Sequence, residues 1–145
     1  MTEREREEFL NNFTFSSNAT AFAVMGGVFS EGIDLIGERL KGVAIITVGL
    51  PGLSYERNIL KVHFQKKYNK GYEYAYIYPG MIKVVQSAGR VIRTEDDKGK
   101  VLLIDKRFSY EPYKFLLPNH WKVYDFMDSA EISEILREFE EEKDK

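Results

Sequence analysis

The chain has 145 residues, a formal net charge of −2 and no cysteine. This length fits one domain that can bury a core, and the lack of cysteine excludes disulfides, thiolate catalysis and cysteine-ligated metals or iron–sulfur clusters from this chain. Because the net charge is close to zero, contact with nucleic acid requires a local basic patch. The charged N-terminus lacks the apolar segment of a secretory signal, and no apolar run approaches the roughly 20 residues that span a bilayer, so we expect a cytoplasmic protein without a membrane partner.

Apolar runs and helical stripes alternate along the chain. In order, they predict a helix over residues 3–12, buried strands over residues 21–26 and 43–49, helices over residues 54–69 and 74–93, a third strand over residues 100–105, a fourth over residues 121–124 and a final helix after residue 128. Thr2 and Glu5 have the spacing of a capping box, and Asp128 with Glu131 repeats it. Pro79 either interrupts its helix or marks the true start of that helix.

Continuous apolar strands that alternate with helices are typical of an α/β fold whose parallel sheet is covered on both faces. Such sheets bind ligands in the loops beyond the carboxyl ends of their strands. Here these loops cover residues 27–37, 49–54 and 105–110. We find no repeat, low-complexity block or linker in the sequence, so we expect residues 1–145 to form one domain.

A cationic stripe is predicted near the end of the helix over residues 74–93. The segment places Gln86, Arg90 and Arg93 at i, i+4 and i+7, on one helical face. Gly89 leaves room for close approach, and Arg presents a planar fork of donors that matches phosphate oxygens. The stripe is equally compatible with a solvated or salt-bridged helix face.

A glycine-rich segment with polar side chains directly follows the first predicted strand. Its sequence over residues 26–35 is Gly-Gly-Val-Phe-Ser-Glu-Gly-Ile-Asp-Leu. The glycines permit unusual backbone angles and expose N–H groups, while Ser30, Glu31 and Asp34 add polar groups. On its own, the segment is more typical of a turn whose Asp caps a helix.

Four ordered segments together resemble the C-terminal motor domain of the XPD/DinG family of superfamily-two DNA helicases. Residues 26–35 resemble the family's motif V, and residues 86–93 resemble its motif VI. Gly-Leu-Pro over residues 49–51 lies between them, and residues 97–108 resemble the strand that follows. The resemblance covers residues 4–126, in the family's order and at plausible spacing.

The resemblance implies a three-layer RecA-like domain with a mainly parallel central sheet flanked by helices. In this family ATP lies between two such domains, and the second domain supplies an arginine finger. By resemblance, Arg90 and Arg93 would be catalytic and contact the phosphates. The resemblance also implies contacts with ATP for Gln86, Gly89, Gly32 and Asp34. Coupling of the nucleotide site to DNA would involve Ser30, Glu31 and Asp34.

The chain lacks the G-x-x-x-x-G-K-[S/T] and D-E-A-H motifs of the family's first domain. The resemblance therefore implies that ATP and Mg²⁺ are held mainly by a first RecA-like domain outside this chain. The implied partners are that domain and single-stranded DNA, and the chain alone is expected to be inactive. The family usually has a strand and a helix before the position of residue 4, so an N-terminally truncated domain is compatible with the match.

Two other interpretations stay open. The chain could be a non-catalytic, helicase-like interaction or regulatory module, or an unrelated nucleotide-binding α/β domain. A P-loop domain encoded upstream would favour the motor, and a complete gene of these residues alone would favour the module.

Histidines and tyrosines each allow a structural and a functional interpretation. We expect His63 and His120 to be packed or exposed rather than ligands, and no spacing in the sequence predicts a metal site. Tyrosines interleaved with lysines could stack on and grip single-stranded DNA, although packed tyrosines and solvated lysines are the favoured interpretation. These residues are Tyr68, Tyr72, Tyr74, Tyr76 and Tyr78, with Lys66, Lys67 and Lys70.

Overall fold

The structure is a computed structural model that describes residues 2–13, 19–27, 40–91, 99–126, 128, 130–134 and 137. Its main elements are α1 (Glu3–Asn11), β1 (Gly42–Ile46), α2 (Tyr55–Tyr68), a π-helical segment (Glu73–Ile77), α3 (Tyr78–Ala88) and β2 (Lys100–Ile104). Short 3₁₀ turns follow at Lys106–Ser109 and Lys114–Leu116. Within these ranges, no helix is long and apolar enough to cross a membrane.

The two strands pair in parallel, as the sequence predicts. Gly42 is opposite Lys100 and Ile46 is opposite Ile104, so β1 and β2 are in register along their whole length. A parallel pair needs a crossover between its strands, and here α2, the π-helical segment and α3 supply it. The described part therefore has the α/β organisation that the sequence predicts.

The core lies between α3 and one face of the strand pair. Its buried residues are Ile45, Val48, Ile77, Met81, Val84, Ala88, Phe108, Tyr113 and Leu117. On the opposite face of the pair, Ile46 and Ile104 are 61% and 46% exposed. That face is open in the part of the chain that the structure describes.

Local capping signals fix the predicted helix starts. Thr2 and Glu5 form the reciprocal capping box of α1, with Thr2 N–H donating to Glu5 Oε2 at 2.6 Å. Ser54 Oγ accepts from Arg57 N–H at 3.2 Å at the start of α2. Asp128 Oδ1 accepts from Ala130 N–H at 2.7 Å, which caps the helical residues 130–134.

The predicted helix over residues 74–93 is two elements, and it ends earlier than predicted. It begins as the π-helical segment, continues as α3 and stops at Ala88, with Gly89 as the C-terminal cap. Pro79 lies in the first turn of α3 and lacks the N–H that would donate to the Ala75 carbonyl in an α-helix. Arg57 Nη1 donates to that carbonyl instead, at 3.1 Å. This bond ties α2 to the π-helical segment.

Two predicted strands are wrong. Residues 21–26 are irregular, with Phe22 and Val24 92% and 80% exposed, and Gly27 N–H closes a tight turn onto the Val24 carbonyl at 2.9 Å. Residues 121–124 have no regular structure either. A short apolar run becomes a strand only where a neighbour pairs with its backbone, and such runs are ambiguous from periodicity alone.

Gly80→Ala is expected to destabilise the protein. A Cβ at Gly80 would lie 2.7 Å from the Val48 carbonyl oxygen and 3.2 Å from Gly49 backbone atoms, none of which can move without displacing the end of β1. Overpacking typically costs about 1–3 kcal/mol. The better helix propensity of Ala returns about 1 kcal/mol, so we expect a net loss in the free energy of unfolding.

Gly52→Ala is the matched control, because a Cβ there meets nothing within 4 Å. Urea unfolding should show a lower midpoint for Gly80→Ala and a change within about 0.5 kcal/mol for Gly52→Ala. Equal midpoints for the two variants would show that α3 does not approach β1 as described.

Candidate functional site

The carboxyl ends of β1 and β2 meet at one edge of the strand pair. Thr47 N–H donates to the Ile104 carbonyl at 3.1 Å and extends the ladder one residue past β1. The next residues along the chain are the predicted loops that begin at Gly49 and Asp105. Ligands of parallel sheets bind at such an edge.

A three-residue network joins the two strand ends, and we call it the Thr47–Asp105–Arg107 clamp. Arg107 binds the Asp105 carboxylate in bidentate fashion, through Nε at 2.9 Å and Nη2 at 2.6 Å. Nη2 also donates to Thr47 Oγ1 at 2.9 Å. One guanidinium therefore holds the residue after β2 and the residue after β1 together.

The hydrogen bonds of the clamp favour the charged forms of Asp105 and Arg107. Hydrogen bonding from Arg107 lowers the pKa of Asp105 from 3.8 to about 2, and the same bond raises the pKa of Arg107 further above its usual value. Burial raises the pKa of the neighbouring Tyr113 hydroxyl. Asp105 and Arg107 are therefore ionised throughout the neutral range.

Thr47 lies in an unusual backbone conformation. Its φ is +70°, a region that β-branched residues rarely adopt, and Gly49 follows with φ +61°. Backbone strain of this kind costs on the order of 1–3 kcal/mol and is found where surrounding contacts enforce it. Here Arg107 holds the Thr47 side chain and Ile104 holds its backbone. The clamp thus fixes the direction in which the Gly49–Pro51 loop leaves β1.

Three of the predicted segments meet beside this edge. A side chain on Gly49 would lie 2.7 Å from Met25 Sδ and 3.2 Å from the Gly80 carbonyl oxygen, so the loop is packed between Met25 and α3. Lys83 Nζ on α3 lies 3.2 Å from where a side chain on Gly26 would begin. The start of the glycine-rich segment, the Gly-Leu-Pro loop and the helix that carries Gln86 are therefore neighbours.

Gln86 and Arg90, the described residues of the cationic stripe, do not lie on one regular helix. Gln86 is exposed in the last turn of α3, but α3 ends at Ala88 and Arg90 lies in the turn beyond it. The reason is Gly89, which is the weakest helix former after Pro. The turn tightens there, with Arg90 N–H bonded to the Ser87 carbonyl at 3.3 Å. Val91 is 6% exposed and anchors the backbone next to Arg90.

Five predicted site residues lie outside the described residues, and their placement stays a prediction. They are Ser30, Glu31, Gly32, Asp34 and Arg93. Among the residues that the structure does describe, no cluster of three His, Cys, Asp or Glu side chains could hold a metal ion.

Lys83 and the clamp are features that sequence reasoning missed. The Asp-Lys-Arg run after β2 was a usable signal, because an Arg two residues after an Asp at a strand end can fold back onto that carboxylate. Thr47 gave no comparable signal. Its partner is 60 residues away in the chain, and its backbone conformation is not encoded by its residue type.

Comparison with known proteins gives consistent matches. The model of the helicase C-terminal domain family matches residues 1–124. Human regulator of telomere elongation helicase 1 is 32% identical over 124 residues, which cover 76% of this chain and 10% of that protein. The counterpart from Mus spretus is 31% identical over 138 residues, or 84% of the chain and 11% of the relative.

A bacterial helicase is also similar to this chain. The ATP-dependent DNA helicase DinG of Photobacterium profundum is 35% identical over 89 residues, which cover 60% of this chain and 13% of that helicase. The chain thus spans about a tenth of the length of the curated relatives that it matches.

Asp105→Asn is expected to lower stability in a pH-dependent way. Because the pKa of Asp105 is depressed to about 2 in the folded state, its contribution is fully present above about pH 4 and is lost as the pH falls towards 2. Urea midpoints of the wild type and the variant should differ at pH 7 and converge near pH 2.

The exposed pair Lys114–Asp125 provides the control. Its side chains are 51% and 59% exposed, so Asp125→Asn should change stability by less than about 1 kcal/mol at any pH. A difference between Asp105→Asn and the wild type that is the same at pH 7 and pH 2 would contradict a charged clamp.

Proposed function

We propose that the chain, which belongs to the helicase C-terminal domain family of XPD/DinG helicases, is the second motor domain of an ATP-dependent DNA helicase. The observation that supports this most directly is the meeting of Gly26, Gly49 and α3 beside the strand edge. These are the segments that resemble motif V, its Gly-Leu-Pro neighbour and motif VI. In the proposal, ATP binds between this edge and a first RecA-like domain.

Arg90 and Arg93 supply positive charge to the phosphates of ATP in this proposal. A preplaced guanidinium stabilises the charge that develops on a transferring phosphoryl group. Arg90 is suited to the role because it is half-buried and follows the end of α3, with the buried side chain of Val91 next to it. Gln86, one turn earlier and exposed, adds a neutral donor, and Gly89 allows close approach of the backbone.

The remaining predicted residues complete the proposal on the side of the glycine-rich segment. Gly32 and Asp34 contribute to the nucleotide site, and Ser30 and Glu31 couple it to single-stranded DNA. The described start of this segment, at Gly26, lies beside Lys83, one turn before Gln86, because a Cβ added at Gly26 would be 3.2 Å from Lys83 Nζ. Mg²⁺ is held by the first domain in this proposal.

The clamp has a supporting role in the same mechanism. In the proposal, the loops after β1 and β2 move as one body when the two domains close around ATP. The bidentate Arg107–Asp105 pair and its bond to Thr47 join those loops. Arg107 is therefore proposed as a positioning residue, because its guanidinium is already committed to Asp105 and Thr47.

The chain alone is expected to release phosphate from ATP only at background rate. Its cationic residues can meet the phosphates, but the Walker-type cradle and the Mg²⁺ carboxylates belong to the other domain of such motors. The measurement is phosphate release with Mg²⁺ and single-stranded DNA. Turnover by the isolated chain that Arg90→Ala abolishes would refute the shared site.

In the protein that carries both motor domains, Arg90→Ala and Arg93→Ala are each expected to lower ATP turnover severely. Arginine fingers contribute roughly 10³–10⁵-fold in related phosphoryl-transfer systems. Arg90→Lys should recover little activity, because an ammonium lacks the planar fork. The readout is steady-state ATPase at saturating single-stranded DNA, with a melting curve for each variant.

Lys122→Ala is the control for this series, because Lys122 is exposed and lies far along the chain from α3. It should leave turnover unchanged. If both arginine variants keep near wild-type turnover, the motif is a structural face, and a non-catalytic interaction module becomes the better description.

A further inference from the structure

An apolar stripe along α2 is exposed. Tyr55, Ile59 and Val62 have the spacing i, i+4 and i+7 of one helical face, and they are 77%, 50% and 48% exposed. Leu53, which directly precedes the N-terminal cap of the helix, is 90% exposed. None of the 14 residues of α2 is buried. We call Leu53, Tyr55, Ile59 and Val62 the outer stripe.

The outer stripe lies on the side of α2 that faces away from the π-helical segment. That segment packs against the other side, where the ring centroids of Phe64 and Tyr74 are 4.4 Å apart. At 3.6 residues per turn, Tyr55 and Val62 project about 180° and 160° away from Phe64. A surface helix normally carries polar side chains opposite its packed face. Contiguous apolar side chains at this place therefore indicate a surface that a partner covers.

Cationic side chains lie at the C-terminal end of the outer stripe. Lys66 is four residues after Val62 and continues the stripe, and Lys67 and Lys70 follow it. All three lysines are exposed, and no ion pair joins them to a residue in the described ranges. Residues 57–70 contain no Asp or Glu. A partner that fits this surface combines apolar side chains with carboxylates.

Residues 128–145, which we call the acidic segment, have this chemistry. They contain eight Asp or Glu and three Lys or Arg, which gives a net charge of −5. Four apolar residues within the segment have the spacing i, i+3, i+4 and i+7 of an amphipathic helix. They are Ile132, Ile135, Leu136 and Phe139. Of these, the described part of the chain includes Ile132, which is half-buried. The segment follows residues 1–124, which the family model matches.

The acidic segment begins as a helix near the basic end of α2. Residues 130–134 are helical, and Asp125, shortly before them, accepts a hydrogen bond from Lys114 Nζ at 3.1 Å. Tyr113 is next to Lys114, and burial together with the nearby Tyr72 hydroxyl raises its pKa. Tyr72 lies four residues beyond the end of α2. A helix over residues 130–143 would be about 21 Å long, as α2 is.

We propose that the acidic segment forms an amphipathic helix along the outer stripe of α2, with its apolar side chains on Ile59 and Val62 and its carboxylates at Lys66, Lys67 and Lys70. Apolar spacing, opposite charge, equal length and a nearby starting point all favour this segment as the occupant. The contact goes beyond the proposed function, because it requires neither ATP nor the Arg90 turn. Attachment through the chain gives the segment an effective concentration on the order of millimolar, so a weak contact is sufficient.

The test places one nitroxide spin label on the acidic segment of the 145-residue chain and measures the loss of amide NMR intensity in α2. The chain contains no cysteine, so Glu141→Cys provides a single attachment site. Glu141 is nine residues after Ile132, which places the label about 180° from the apolar side of that helix. Docking predicts that the α2 amides lose most of their intensity relative to the sample with the nitroxide reduced.

Variants of the outer stripe should restore that intensity. Ile59→Asp/Val62→Asp places two carboxylates in the apolar contact, at positions that are exposed in the described structure. Phe22→Asp is the matched control, because Phe22 is 92% exposed and lies outside α2, and it should leave the intensity loss unchanged. Circular dichroism melting verifies that each variant is folded.

A second pair of variants tests the ionic contact. Lys66→Glu/Lys67→Glu should restore the α2 intensities, because like charges would then repel the acidic segment. Lys41→Glu, a charge reversal at an exposed position beside β1, should not restore them. Added salt should weaken the intensity loss in the wild type, since exposed charges are screened beyond a Debye length of about 3 Å at 1 M.

Three results would overturn the proposal. They are undiminished α2 intensities in the spin-labelled wild type, an intensity loss that survives Ile59→Asp/Val62→Asp, and a loss that survives charge reversal of the lysines. A fourth sample mixes isotope-labelled chain that lacks the nitroxide with spin-labelled chain that lacks the isotope. Intensity loss in that sample would assign the contact to a second copy and overturn docking within one chain. Failure is distinguishable from failure of the proposed function, because Arg90→Ala should lower ATP turnover in the two-domain protein and leave this docking unchanged.

Discussion

The close approach of α3 to the end of β1 is the constraint on which the rest of the described structure depends. At Gly80 the helix meets the backbone of Val48 and Gly49 with no space for a side chain. This approach allows the stripe Ile77, Met81, Val84 and Ala88 to cover Ile45 and Val48. It also confines Gly49 against Met25, so the same contact that closes the core brings the candidate site segments together.

The sequence predicts those parts of the fold that rest on local chemistry. Side chains of Thr2, Ser54 and Asp128 cap helices near the predicted starts, and the apolar runs at β1 and β2 form a parallel pair. The strand that was wrongly predicted over residues 21–26 would have required a pairing strand from elsewhere in the chain. Phe22 and Val24 are apolar, but their burial is decided by which segment lies beside them, and a local pattern does not contain that information.

The candidate site likewise contains features that local sequence predicts and features that depend on distant contacts. The sequence places Gln86 in a helix, as the structure does, but it predicts that this helix continues through Gly89 to residue 93, whereas α3 ends at Ala88 and Arg90 lies in the turn beyond it. The clamp could not be derived in this way, because Arg107 acts through a hydrogen bond to Thr47 that exists only once β1 and β2 are paired. The same holds for the tyrosines, since only the packed structure separates buried Tyr76 from exposed Tyr68.

The π-helical segment changes the direction in which the side chains after it face around the helix axis. In it, Tyr78 N–H bonds to the Glu73 carbonyl five residues back, which accommodates one residue more than an α-helical turn. One extra residue rotates everything that follows by about 100° around the axis. The core stripe of α3 is therefore rotated around the helix axis, relative to the exposed face at Tyr74, from the position it would have in a continuous α-helix. A single-residue deletion between residues 73 and 77 would leave the sequence of α3 unchanged, yet it would turn Met81 and Val84 away from β1.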